Sequence, residues 1–165
     1  MVEFSVPRVR AAATRDLEAV NAIVTDAVLA WPMAERLKRI ALRVLRYDGH
    51  DFDDMQMLVA EFGEQPAGVA VWDAETAYRS RTGRRGALLH GLYVRPQMQR
   101  AGIGTTLQCH VAEAAALRGF EGLIVKSERV SVEYFEHCGY ARLSEDGVDG
   151  LQYPYLFWRG LTAFS

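Results

Sequence analysis

Three observations predict an α+β domain built around a mixed sheet. Short apolar runs bounded by turn residues alternate with helical stripes in the order β-α-α-β-β-β-α-β-α-β-β. The 165 residues suit one compact domain, spanning 1–165, with a sizeable core. No repeat, linker or low-complexity stretch interrupts the pattern.

The elements follow in order. Val6 to Ala12 reads as the first strand. Thr14 or Asp16 can cap the helix after it, and Asp16 and Glu18 suit its positive end. Leu17, Val20, Val24, Ala27, Val28 and Trp31 recur at helical spacing, and Pro32 ends the run. Met33, Leu37, Ile40, Ala41, Val44 and Leu45 form a second stripe. Arg36, Lys38, Arg39, Arg43 and Arg46 lie opposite, as a solvated face. Tyr47 to Asp54 reads as a polar surface loop. Met55 to Phe62 and Ala67 to Trp72 are strands joined by the hairpin signal Gly63-Glu64-Gln65-Pro66. A basic turn, Arg79 to Gly86, leads into the apolar strand Ala87 to Val94; it reads as a solvated hairpin tip, with an acidic ligand as the other option. A helix from Gly104 to Arg118 stops at Gly119, Leu123 to Val125 is a buried strand, and Val130 to Cys138 is a short helix closed by Gly139. Tyr140 to Leu143 and Tyr153 to Leu161 form a last strand pair; Tyr155 to Trp158 reads as an aromatic edge on which a second copy can pair, giving a homodimer.

Composition narrows the function. Hydrophobic residues make up 50% and charged residues 24%, with a net charge of −2, so neither nucleic acid nor an anionic membrane is an expected partner. No signal peptide or membrane span is read, and a cytoplasmic location is expected. The two cysteines, Cys109 and Cys138, lack metal spacing and read as free thiols; no metal is expected.

The chemistry concentrates in His90 to Leu107, HGLYVRPQMQRAGIGTTL. A buried strand breaks at Pro96, crosses a loop and enters a helix through Gly102-Ile103-Gly104-Thr105. Unpaired N–H groups and the positive end of a helix dipole meet at such a junction, and both favour an anion. Gly102 and Gly104 let a phosphate touch the backbone, while Arg100 and Thr105 add a charge and a hydroxyl. The loop is not G-x-x-x-x-G-K-[ST], because no Lys follows Gly104. Nor is it the dinucleotide fingerprint, whose third glycine is here Leu107.

Gln99-Arg100-Ala101-Gly102-Ile103-Gly104 resembles the Q/R-x-x-G-x-G/A segment of the GCN5-related N-acetyltransferases (GNAT family). Leu92-Tyr93-Val94-Arg95-Pro96 matches the strand before it, and Tyr134-Phe135-Glu136-His137-Cys138-Gly139-Tyr140 resembles a later segment of that family. The resemblance implies its fold: a mixed, mainly antiparallel sheet flanked by helices, with two central strands splayed apart. It implies acetyl-CoA as acyl donor and a primary amine, on a small molecule or a protein, as acceptor. Gln99 to Thr105 would bind the cofactor, with its pyrophosphate on the backbone from Arg100 to Thr105, and Leu92, Tyr93 and Val94 would pair with the pantetheine arm and offer an N–H to the oxyanion. His90, on the same strand face as Leu88, Leu92 and Val94, is the expected general base; the other reading is a core histidine. The family's usual acid, a tyrosine, falls on Phe135, and Tyr134 beside it points about 100° away around the helix. Glu128 stands where the family has an asparagine. The acid is then Tyr134 after a local shift, a water, or absent. Phe135 and Glu128 also motivate the alternative of a non-catalytic acyl-CoA-binding or sensing domain. Trp31, Phe52, Trp72, Tyr153 and Tyr155 are either an acceptor cleft or core.

Overall fold

The structure is a computed structural model that describes residues 6–164. Strands β1 (Arg8–Ala11), β2 (Gln56–Phe62), β3 (Gln65–Arg79), β4 (Arg85–Val94), β5 (Gly122–Lys126), β6 (Ala141–Leu143) and β7 (Leu156–Gly160) form one seven-stranded sheet in the order β1-β2-β3-β4-β5-β7-β6. β1 pairs antiparallel with β2, and β7 antiparallel with both β5 and β6, whereas β4 and β5 run parallel. The helices are α1 (Leu17–Leu29), α2 (Glu35–Leu45), the single turn α3 (Asp51–Asp54), α4 (Ile103–Leu117) and α5 (Val132–His137). The α+β architecture and the mixed sheet are as the sequence predicts.

Backbone contacts group the chain into two compact units, Met1–Val71 with Gly91–Gln108, and Trp72–His90 with Cys109–Ser165. In the first, Val20, Ile23, Val24, Ala27 and Val28 of α1 pack with Met57, Val59, Val69, Val71, Tyr47 and Tyr93. That is the helical stripe read in the sequence, closed against alternate residues of β2 and β3. The side chain of Asn21 holds the backbone of Tyr47 in both directions: Nδ2 donates to the Tyr47 carbonyl (2.8 Å) and Oδ1 accepts from its N–H (2.9 Å). In the second unit Leu88, Ile124, Val148, Leu156 and Trp158 form one core cluster.

Four expectations are corrected. Asp16 does not cap α1 with its side chain; its carboxylate takes two bonds from the Arg10 guanidinium, at 2.8 and 2.9 Å, and one from the Ala13 N–H. A bidentate ion pair outcompetes a single capping bond. The polar loop after Tyr47 contains the turn α3, set up by bonds from Asp48 N–H to Asp51 Oδ2 and from His50 N–H to Asp48 Oδ1. β3 continues past Trp72 to Arg79, with Ala74 still buried. The basic turn is the exposed tip of the β3–β4 hairpin, as expected, and its arginines make local contacts. Arg79 and Arg85 donate to the carbonyls of Gly83 and Gly119, and Arg81 pairs with Asp146. Arg84 lies over the Trp158 ring and Arg85 over the Phe120 ring. Finally, β7 is not an edge: β5 and β6 cover its two sides, so the aromatic run offers no open ladder for dimerisation.

The second helix also turns a different face inward from the one its stripe suggests. Lys38, Ala41, Leu42 and Leu45 face the interior, while Leu37, Ile40 and Val44 are exposed. Lys38 is buried because its Nζ donates to the Leu29 carbonyl at the end of α1 (2.7 Å) and to Glu35 (3.0 Å). A buried ammonium needs such partners, and the last carbonyls of a helix supply them.

Candidate active site

The strand–loop–helix junction lies wholly within the first unit. β4 ends at Val94. Arg95 then leaves the strand with its N–H bonded to the Ala67 carbonyl (2.9 Å) and its Nε to the Pro66 carbonyl (2.9 Å), while its guanidinium pairs with Asp26 of α1. Arg95 thus pins the start of the loop to both β3 and α1. The 3-10 turn Pro96–Met98 follows, and α4 begins at Ile103. Sequence reasoning used Arg95 only as a motif spacer. Its position before Pro96 was visible, but Asp26, 69 residues away, was not.

Between Gln99 and Ile103 the backbone takes two left-handed conformations, Arg100 at φ 67° and Gly102 at φ 78°. A non-glycine residue there is uncommon and is held by its surroundings. Gly102 has nothing within 4 Å of where a Cβ would sit, so the backbone is open on that side. The Gly102 carbonyl accepts from the Thr106 N–H (2.9 Å) and hydroxyl (2.8 Å), which starts the helix. The N–H groups of Ile103, Gly104 and Thr105 then fall in the first turn, where the helix has no acceptor for them. Gln99, Arg100, Ala101, Gly102 and Thr105 are exposed, and Gly104 is half-buried. Among the described residues Arg100 has no ion pair and the Thr105 hydroxyl no hydrogen bond.

Ile103 differs from its neighbours. Its side chain is 1% exposed, so it anchors the loop and offers a ligand only its N–H. The anchor depends on Gly68 in β3, where a Cβ would meet Ile103 Cγ2 at 2.7 Å and Leu107 Cδ1 at 3.1 Å. Only glycine lets α4 approach the strand this closely. Along β4, Leu92 and Val94 are half-buried on one face, and Tyr93 is buried in the core on the other. The ladder between β4 and β5 ends at Leu89 paired with Val125, although β4 runs on to Val94.

His90 and Tyr134 belong to the second unit. His90 is exposed although its strand has neighbours on both sides. Leu88, two residues earlier, is buried. Tyr134, in the middle of α5, is 43% exposed, and Phe135 is 7% exposed. The Phe135 ring lies edge-on to Tyr134 and Tyr140 at 5.2 and 5.4 Å and 6.2 Å from Phe157, so it is a packing residue. Burial pushes the Tyr140 hydroxyl above its ordinary pKa. Of the aromatics considered for an acceptor cleft, Trp72 is buried against Phe120, and Trp31 and Phe52 pack on the core of the first unit.

A sequence model of the acetyltransferase (GNAT) domain matches residues 28–152. The chain belongs to the GNAT acetyltransferase family. No functionally curated protein matches it in sequence. Solved GNAT structures share its fold. A GCN5-related N-acetyltransferase from Rhodopseudomonas palustris is 19% identical, with a TM-score of 0.72 over 94% of this chain and 96% of the other. The PaiA N-acetyltransferase of Thermoplasma acidophilum, solved with coenzyme A, is 15% identical, with a TM-score of 0.73 over 94% and 99%. A GNAT acetyltransferase from Brucella melitensis, solved with acetyl-CoA, is 16% identical, with a TM-score of 0.59 over 94% and 88%. Among the described residues of this GNAT protein, no helix is long and apolar enough to cross a membrane.

Proposed function

We propose that this GNAT protein is a single-domain N-acetyltransferase that moves the acetyl group of acetyl-CoA to a primary amine. The observation that carries the reading is the loop from Gln99 to Thr105. Two left-handed residues and an open Gly102 there present the unpaired N–H groups of a 15-residue helix. Such a junction suits a pyrophosphate. Arg100 supplies an exposed positive charge and Thr105 a hydroxyl, while Arg95 and Ile103 hold the backbone in place. The complexes of the Thermoplasma and Brucella relatives with coenzyme A and acetyl-CoA support the choice of donor.

In this reading Leu92 to Val94 line the acyl arm, and a backbone N–H of β4 beyond the end of the β5 ladder stabilises the oxyanion as the amine attacks the thioester carbonyl. His90 accepts the proton that the amine must lose, directly or through a water. The thiolate of coenzyme A then departs. Tyr134 is exposed and would donate a proton to it after a local shift, with a water as the other source, whereas Phe135 is packed and has none to give. A panel of primary amines with acetyl-CoA, followed by release of free thiol, tests the reading. Acetylated product from at least one amine class is expected. Tight coenzyme A binding with no turnover on any amine would replace the enzyme by a binding domain of the same fold.

A further inference from the structure

Helix α2 carries apolar side chains that the fold does not cover. Leu37, Ile40 and Val44 are 53%, 47% and 77% exposed, and at spacings of three and four they form one stripe about 10 Å long. The buried side of the helix, Lys38, Ala41, Leu42 and Leu45, lies about 100° further round. Arg36, Arg39 and Arg43 flank the stripe on its other side, all exposed. Among the described residues none of these three arginines has a carboxylate partner, in a chain whose net charge is −2. Three large apolar side chains beside three unpaired guanidinium groups are not what a merely solvated helix face requires.

We propose that this face of α2 docks an acidic amphipathic helix of a partner protein. The stripe matches two turns of a partner helix with apolar anchors at positions i, i+3 or i+4, and i+7. The arginine flank selects Asp or Glu beside those anchors, and guanidinium groups pair carboxylates bidentately. A second copy of this chain fits poorly. In a two-fold antiparallel pairing of α2 with itself, the arginine flank falls on the same side in both copies, setting Arg36, Arg39 and Arg43 of one beside those of the other. A lipid surface also fits less well, since the cationic flank is on one side only and the stripe has no aromatic anchor.

The test uses the whole chain and a fluorescent synthetic helix of about 16 residues, with leucines at the anchor spacing and glutamates on one flank. Binding is read by anisotropy against the same peptide with lysines in place of the glutamates. The acidic peptide is expected to bind at about 10–100 μM, as a small contact should, and the basic peptide at least tenfold more weakly. The double variants I40S/V44S and R39E/R43E should each lose at least tenfold for the acidic peptide, and the second should gain affinity for the basic one. Because these side chains are exposed, melting temperatures should stay within a few degrees of the parent. Several results would overturn the proposal: no binding, equal binding of both peptides, a dimer by sedimentation that I40S/V44S abolishes, or association with phosphatidylserine vesicles that R39E/R43E abolishes.

Discussion

His90 is the residue on which the catalytic reading turns. An exposed imidazole on the central strand is a side chain of the kind that serves as a general base toward an amine. His90→Ala should lower turnover by about 10²-fold at neutral pH, with part of the loss recovered at high pH where more amine is already neutral. Wild-type turnover across the pH range, on a confirmed substrate, would return His90 to a structural role. Phe135 gives the opposite expectation. Phe135→Leu should cost about 1–2 kcal/mol by chemical denaturation, for the lost ring contacts, and leave kcat nearly unchanged. A large fall in kcat with intact stability would show that the ring does more than pack. The packing role of Phe135 was legible because it depends on near neighbours in sequence. Alternation fixed the face of His90, and the following glycine fixed the register of Phe135. Arg95 was not legible, because its partner Asp26 lies on another element.

Among the elements, the link between β1 and the start of α1 carries a pH dependence. Asp16, 9% exposed, accepts two bonds from Arg10, which also donates to Glu61 of β2 at 2.9 Å. The Arg10 hydrogen bond holds the Asp16 pKa at about 2, below its ordinary 3.8. A carboxylate with a depressed folded-state pKa contributes stability above its unfolded pKa, and the contribution is lost as pH falls from roughly 4 to 2. Asp16→Asn should therefore lower the melting temperature by roughly 3–8 °C at pH 7, and the two proteins should converge near pH 2. A constant gap between their melting curves from pH 7 to pH 2 would assign the loss to packing instead. The same cluster shows where a stripe is read well and a cap is not. The apolar face of α1 follows from spacing alone, but the choice of Asp16 between a helix N–H and Arg10 is a tertiary competition. In α2 the spacing located the helix but not its rotation. Lys38 reaches the carbonyl end of α1, and that bond helps decide which side turns inward.

For the molecule as a whole, the order of strands was the least legible feature. Sequence proximity places β6 and β7 together, but only the fold inserts β7 between β5 and β6 and so removes the expected edge. The loop at the head of α4 was legible as a strand–loop–helix junction because it is continuous in sequence, and it provides a test that does not depend on finding the amine. A ligand that binds only the native state stabilises it by RT ln(1 + [L]/Kd), or about 2.7 kcal/mol at a hundredfold excess over Kd. For a chain of this length that is a rise of roughly 5–10 °C in melting temperature. Coenzyme A at saturating concentration should produce such a rise. Gly102→Val puts a branched side chain at φ 78° and fills the open space over the backbone, so it should lower the melting temperature of the free protein and remove the ligand-dependent rise together. The two effects separate cleanly, because strain is present without ligand and the lost rise is a difference between melts with and without it. Gly63→Val supplies the control: Gly63 also has a positive φ, 59°, and open space around it, but it sits in the hairpin between β2 and β3. It should cost stability and keep the full rise with coenzyme A. If Gly102→Val also keeps the full rise, the pyrophosphate does not rest on this loop.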